Sequence, residues 1–279
     1  MGPVSRLLCL GDVSLHYTRE GRGEPLVFVH GGGADLTYWD EQMAPFAERY
    51  LAVAYSRRYA EPNRNAPFDP AYSARTDARD LAQLIGALEL GAAHVVAHSI
   101  GAVAALFCAI EHPGLIRTLV LAEPPVLRWA TLTPDGDAAW TRFLAVMWKP
   151  AAAAFRAGDP VGAMRIITDS FAGNGTFDRL REPVRDRLLR NARDWEAFTT
   201  STDSFPALDR GRVAALGMPV LMLSAGRTVP IHRMVDDVLA ATLPAPERVH
   251  LPDATHDLWA DQPAACREAT LDFLERHAA

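Results

Sequence analysis

Short apolar runs alternate with longer stretches of helical period along most of this 279-residue chain. That alternation constrains the fold more than any other feature. Leu26-Val27-Phe28-Val29 is apolar at every position, as a strand buried on both faces must be. Comparable runs lie at 51–55, 94–97, 118–122, 220–223 and 248–251, and between them 39–50, 72–88, 100–110, 231–243 and 262–276 read as helices. Repeated strand-then-helix units mean a mostly parallel sheet with helices on both faces. At the start, 6–10 and 13–17 meet at Gly11-Asp12 and read as a hairpin. Segment 57–70 holds three prolines and two asparagines and reads as loop.

The rhythm breaks after Pro124. As far as Arg212 there is no convincing strand, while Trp140-Thr141-Arg142-Phe143, Met164-Arg165-Ile166-Ile167 and 188–198 have helical character. Residues 124–212 are therefore expected to form a helical cap inserted into a core made of 1–123 and 213–279.

Composition excludes several classes. Hydrophobic residues at 49% and charged residues at 22% give enough apolar material to offset chain entropy, so disorder is excluded. The most apolar stretch, 95–110, is broken by His98 and Ser99 and falls short of the roughly 20 residues a membrane span requires. A net charge of −6 argues against nucleic acid as a partner. The arginines of 179–193 alternate with Glu182, Asp186 and Asp194, which reads as a solvated helix face. Cys9, Cys108 and Cys266 fit neither a disulfide framework nor a metal site. Segment 1–10 lacks the apolar region of a secretory signal, so a reducing, cytoplasmic location is expected.

The chemistry concentrates in Val95-Val96-Ala97-His98-Ser99-Ile100-Gly101, where an apolar strand meets a small-residue helix with a serine at the turn. Such a turn needs small residues two positions either side of the serine, because the two backbones nearly touch. Ala97 and Gly101 supply them. The segment resembles the nucleophile elbow of the α/β-hydrolase family, G-x-S-x-G, with Ala97 in place of the first glycine. The resemblance implies an α/β-hydrolase fold with Ser99 as nucleophile. Serine rather than aspartate disfavours epoxide hydrolysis and dehalogenation.

A second landmark is Phe28-Val29-His30-Gly31-Gly32-Gly33-Ala34. Neither G-x-G-x-x-G spacing nor a following Lys-Ser/Thr is present, so a phosphate loop is disfavoured. The alternative is an oxyanion hole of backbone N–H groups. By resemblance its donors are Gly32, or Gly33, together with Ile100, and His30 braces the loop. The third landmark, Leu251-Pro252-Asp253-Ala254-Thr255-His256-Asp257, stands where the family carries its base, which implies His256. His16, His94, His112, His250 and His277 sit on strands or helix ends without companions, and His98 flanks the serine.

The acid departs from the commonest family pattern. Leu223-Ser224-Ala225-Gly226-Arg227-Thr228-Val229-Pro230 contains no carboxylate before Asp236. Glu123, directly after the run 118–122, is the second placement the family uses, similar in this to some haloalkane dehalogenases and zearalenone-type lactonases. Buried there, a carboxylate needs a partner. The N–H of His256 would be one; capping of the insertion or pairing with Arg227 is the competing use, and Asp253 is a weaker rival acid.

The resemblance implies a serine hydrolase of an ester or lactone of a small, largely apolar substrate, working through an acyl-enzyme without cofactor or metal. Trp39, Trp259, Trp129 and Phe143 are the aromatic residues expected to wall the substrate, and Arg57, Arg58 and Tyr59 could hold a carboxylate or hydroxyl. Two alternatives stay open: carbon–carbon bond hydrolysis or perhydrolysis on the same residues, and a ligand-binding or tailoring protein with little turnover. Oligomeric state is not legible.

Overall fold

The computed structural model describes residues 4–278; residues 1–3, which open segment 1–10, and residue 279 lie outside the described residues. Among the described residues there are eight strands: β1 (Arg6–Leu10), β2 (Val13–Glu20), β3 (Glu24–Val29), β4 (Tyr50–Tyr55), β5 (Ala93–His98), β6 (Ile116–Ala122), β7 (Val220–Ala225) and β8 (Glu247–Leu251). They form one sheet in the order β1-β2-β4-β3-β5-β6-β7-β8. β2 runs antiparallel to β1 and β4, and the remaining pairs are parallel. This is the doubly covered α/β architecture expected from the alternation.

Alternation along each strand sorts the core into two layers. Val27, Val29, Val95, Ala97, Leu119 and Leu121 face one layer, which includes residues of α2 (Ala74–Ala87), α3 (Ile100–Glu111) and the helix Pro230–Thr242. Leu26, Phe28, Val96 and Val120 face the other, with residues of α1 (Asp40–Ala47) and the helix Pro263–Arg276. With both faces covered, no position of the central strands β3, β5 and β6 can be polar without cost, which explains their continuous apolar runs. Several boundaries differ from expectation, two of them for a clear reason. The first helix is only Asp40–Ala47, because Tyr50 already belongs to β4. β2 continues to Glu20, because 17–20 pairs with β4, a contact that apolar periodicity does not register.

Between β6 and β7 the described residues form helices and irregular segments, with no strand. This insertion has a separate apolar cluster, including Trp148, Phe155, Ile167, Phe177 and Phe198, which also takes in Tyr59 and Tyr72 from the loop after β4. A buried ion-pair network ties the two together. The Arg57 guanidinium meets Asp77 at 2.6 Å and Asp194 at 2.5 Å, and all three side chains are almost wholly buried. Two expectations are corrected here. Arg57 is paired with two carboxylates of its own chain, and Asp194 does not lie on a solvated face. Arg58 is likewise paired, with Asp80, and Tyr59 is buried. Among the described residues no helix is long and apolar enough to cross a membrane.

Candidate active site

β5 and α3 meet at Ser99, whose φ of 53° and ψ of −127° lie where L-residues are rare. The strain is held by its surroundings: Ser99 N–H donates to the Ala122 carbonyl at 2.8 Å, and its own carbonyl accepts from Ala102 N–H. Gly101 is obligatory, since a Cβ there would stand 2.4 Å from the His30 carbonyl oxygen and 2.8 Å from that of Val29. The glycine on the helix side of the turn is thus explained by backbone contact of α3 with the end of β3.

Three chain segments converge on this serine. His256, in the loop after β8, places Nε2 2.9 Å from Ser99 Oγ and Nδ1 3.4 Å from Glu123 Oε2. Glu123 follows β6 directly, is buried, and has φ of 49°. Its Oε1 accepts the Ala225 N–H at 2.8 Å, and its own N–H donates to the Leu223 carbonyl. Burial pushes the carboxyl up, but the hydrogen bond to His256, the His256 charge and the Ala225 N–H more than reverse this and hold it below the usual carboxylate range. Arg227 and Asp253 are exposed, and neither has a side-chain bond to Glu123 or His256. Asp236 accepts from Ser224 and Arg248 instead.

Reading the sequence missed His232. This buried residue opens the helix Pro230–Thr242 and brings Nδ1 to 3.1 Å from His256 Nδ1 and 3.9 Å from Glu123 Oε2. Burial, then the charges of His256 and His98, drive its pKa well below that of free imidazole, so it is neutral. Its position just beyond the loop that lacks the usual carboxylate was the available signal. His98 supports the same loop from the other side. Its Nε2–H donates to the His256 carbonyl at 2.8 Å, and its ring stacks on Tyr38 at 5.5 Å. Burial takes its pKa down to about 4.

The glycine loop is braced by His30, as expected. Its Nδ1–H donates to the Gly31 carbonyl at 2.8 Å and its Nε2 accepts the Arg57 N–H at 2.9 Å. Burial, with the Arg57 charge second, lowers its pKa to about 3, which keeps the ring neutral. Gly33, the alternative donor, is corrected: its N–H is already engaged by Asp194 Oδ2 at 3.4 Å. The N–H groups of Gly32 and Ile100 have no such partner among the described residues. Trp195 covers the loop so closely that a Cβ on Gly32 would lie 2.8 Å from its ring.

A cavity of about 320 Å³ opens beside Ser99 and His256, with Met164, Ile167, Phe171, Leu180, Leu188 and Trp195 on the insertion side. Arg187 and Asp257 bring charge to an otherwise largely apolar wall. Of the four aromatic residues expected there, Phe143 lines a small recess next to Ser99, together with Trp148, Phe198, Phe205 and His232. The other three are corrected. Trp39 and Trp259 are core residues packed edge-to-face at 5.2 Å. Their loops leave the site edge, but their rings turn under the sheet. Trp129 donates Nε1–H to the Leu208 carbonyl at 3.1 Å and lines a different recess, beside Val103.

Residues 26–269 match the model of the alpha/beta hydrolase family. Among solved structures, the enol-lactonase of Burkholderia xenovorans LB400 superposes with a TM-score of 0.74 at 20% identity, over 97% of this chain and 100% of that one. A thermophilic esterase from Thermogutta terrifontis gives 0.75 at 19% identity, over the whole of both chains. A curated relative, "Probable lysophospholipase BODYGUARD 1" of Arabidopsis thaliana, is 34% identical over 110 residues, 37% of this chain and 23% of that protein. The local match therefore spans under a quarter of the plant protein. On the family match across most of its length, the chain belongs to the alpha/beta hydrolase family.

Proposed function

We propose that the protein is a serine hydrolase that cleaves an ester or lactone of a small, largely apolar substrate. The observation that carries this reading is the run of contacts from Ser99 Oγ to His256 Nε2 at 2.9 Å and from His256 Nδ1 to Glu123 Oε2 at 3.4 Å. Ser99 attacks the carbonyl while His256 takes its proton, and Glu123 fixes the imidazole tautomer and favours the imidazolium. The N–H groups of Gly32 and Ile100 stabilise the oxyanion. His256 then protonates the leaving alkoxide, and water, activated by the same imidazole, releases the acyl group. This chemistry needs no cofactor. The insertion 124–212 acts as a cap on the core of 1–123 and 213–279, giving the cavity its apolar wall. The structural neighbours, an esterase and an enol-lactonase, support the substrate class.

The test is covalent labelling with a fluorophosphonate, read by intact mass. Single labelling that disappears in Ser99→Ala is expected, followed by turnover of p-nitrophenyl esters or small lactones. A wild-type protein that never labels would overturn the reading and leave ligand binding without turnover. Carbon–carbon hydrolysis or perhydrolysis would share the labelling, and a substrate screen would separate them.

A further inference from the structure

Behind the base lies a group of donors that acyl transfer does not require. His232 Nδ1, His256 Nδ1 and Glu123 Oε2 stand 3.1, 3.4 and 3.9 Å apart in pairs. A point equidistant from three atoms at those separations lies about 2.0 Å from each, the bond length of zinc to imidazole nitrogen and carboxylate oxygen. The side chains of Glu123 and His232 are only 1% and 3% exposed, while that of His256, at 15%, is reached from the cavity. His232 is not accounted for by packing alone. Its Nε2 is buried without a hydrogen-bond partner, so the ring meets polar atoms of the site only through Nδ1. Burying such a group for shape alone is unfavourable, and an apolar side chain would fill the space without that cost.

We propose that Glu123, His232 and His256 form an inhibitory site for zinc or a similar borderline-soft divalent cation. Two imidazole nitrogens and one carboxylate suit zinc, cobalt or copper, whereas magnesium and calcium take oxygen donors. Binding and catalysis need the same atoms. A cation on His256 Nδ1 takes the lone pair exposed when the Nδ1 proton moves to Nε2. No proton is released overall. With its proton on Nε2, His256 can no longer accept the Ser99 hydroxyl proton, and Glu123 is held by the cation instead of the imidazole N–H. The site carries one carboxylate and lies at the positive end of the helix Pro230–Thr242. It therefore answers to added metal and does not retain a resident ion. The inhibitory consequence rests on the triad reading above; the binding itself does not.

The test titrates chelator-treated protein with zinc by calorimetry and with cobalt by visible absorption. One equivalent is expected to bind, with cobalt d–d bands of low coordination number and no response to magnesium. His232→Phe and Glu123→Gln should each weaken zinc binding by at least about 100-fold, since even loss of an outer partner costs 10–100-fold. Ser99→Ala should bind as the wild type does. Zinc should slow fluorophosphonate labelling of the wild type, and a chelator should restore it. Absence of saturable binding to the wild type, or undiminished binding to folded His232→Phe, would overturn the site. If the wild type never labels, calorimetry and the cobalt spectrum still judge the site, so the two failures are distinguishable.

Discussion

Glu123 sits where a proton on His256 Nδ1 can be fixed without being removed, because its own carboxyl is held below the ordinary range. Glutamine in its place keeps the shape, but its amide can donate to Nδ1 and favour the wrong tautomer. Glu123→Gln is expected to lower kcat by roughly 10⁴-fold with KM little changed, as the analogous acid-to-amide change does elsewhere. Steady-state kinetics would check this, and a loss under tenfold would remove Glu123 from the triad. His30 gives a second prediction. Its folded pKa of about 3 lies below the unfolded value of 6.5. Its contribution to stability is therefore complete above pH 6.5 and is lost as pH falls towards the folded value. Urea unfolding between pH 6 and 4 should show stability falling with acid. In His30→Gln that slope should be flatter by about 1.4 kcal/mol per pH unit, one proton's worth. Ser99, Glu123 and His256 were legible because each directly follows, or lies just beyond, a recognisable strand. His232 was harder to read: the loop without a carboxylate pointed towards it, but only the β6-β7-β8 order brings its helix to the site.

At the scale of elements, the turn from β5 into α3 is a packing problem between backbones. Nothing flexible separates Gly101 from the His30 and Val29 carbonyls, so a methyl group there must push the α3 and β3 backbones apart. Gly101→Ala should destabilise by about 2 kcal/mol, within the range for overpacking, and should slow labelling of Ser99 by moving the helix that carries it. Gly86 lies inside α2, and a Cβ there would meet no atom within 4 Å. At that position the same substitution should stabilise by about 0.5–1 kcal/mol, because alanine loses less entropy in a helix. Opposite signs in parallel denaturation curves would support the contact argument; equal signs would refute it. Elements of this kind were readable because periodicity and residue size encode them directly. The orientation of Trp39 and Trp259 was not. Both loops lie next to site residues in sequence, yet which side of a sheet edge a ring takes depends on the opposing layer, here Phe28 and Leu258.

Across the whole molecule, the insertion and the core are joined through Arg57. Asp77 lies 20 residues from it in sequence and Asp194 lies 137 residues away, so no local pattern could reveal the network. Both carboxylates compensate a guanidinium removed from water, and Asp194 also accepts the Gly33 N–H beside Trp195. Loss of one partner leaves a buried charge undercompensated, which costs about 3–5 kcal/mol in such settings. Asp194→Ala should therefore lower the melting temperature by roughly 10 °C, given the 2–4 °C per kcal/mol expected for chains of this size. It should also raise KM more than it lowers kcat. Trp195, whose ring covers Gly32 and lines the cavity, would lose its anchor, while Ser99 and His256 rest on the sheet. Replacing Arg57 by methionine in the Asp77→Asn, Asp194→Asn background removes all three charges at once. That variant should recover much of the lost stability, since the penalty lies in the unpaired charge. If the single and triple variants melt alike, the ion pairs are not what holds the insertion to the core.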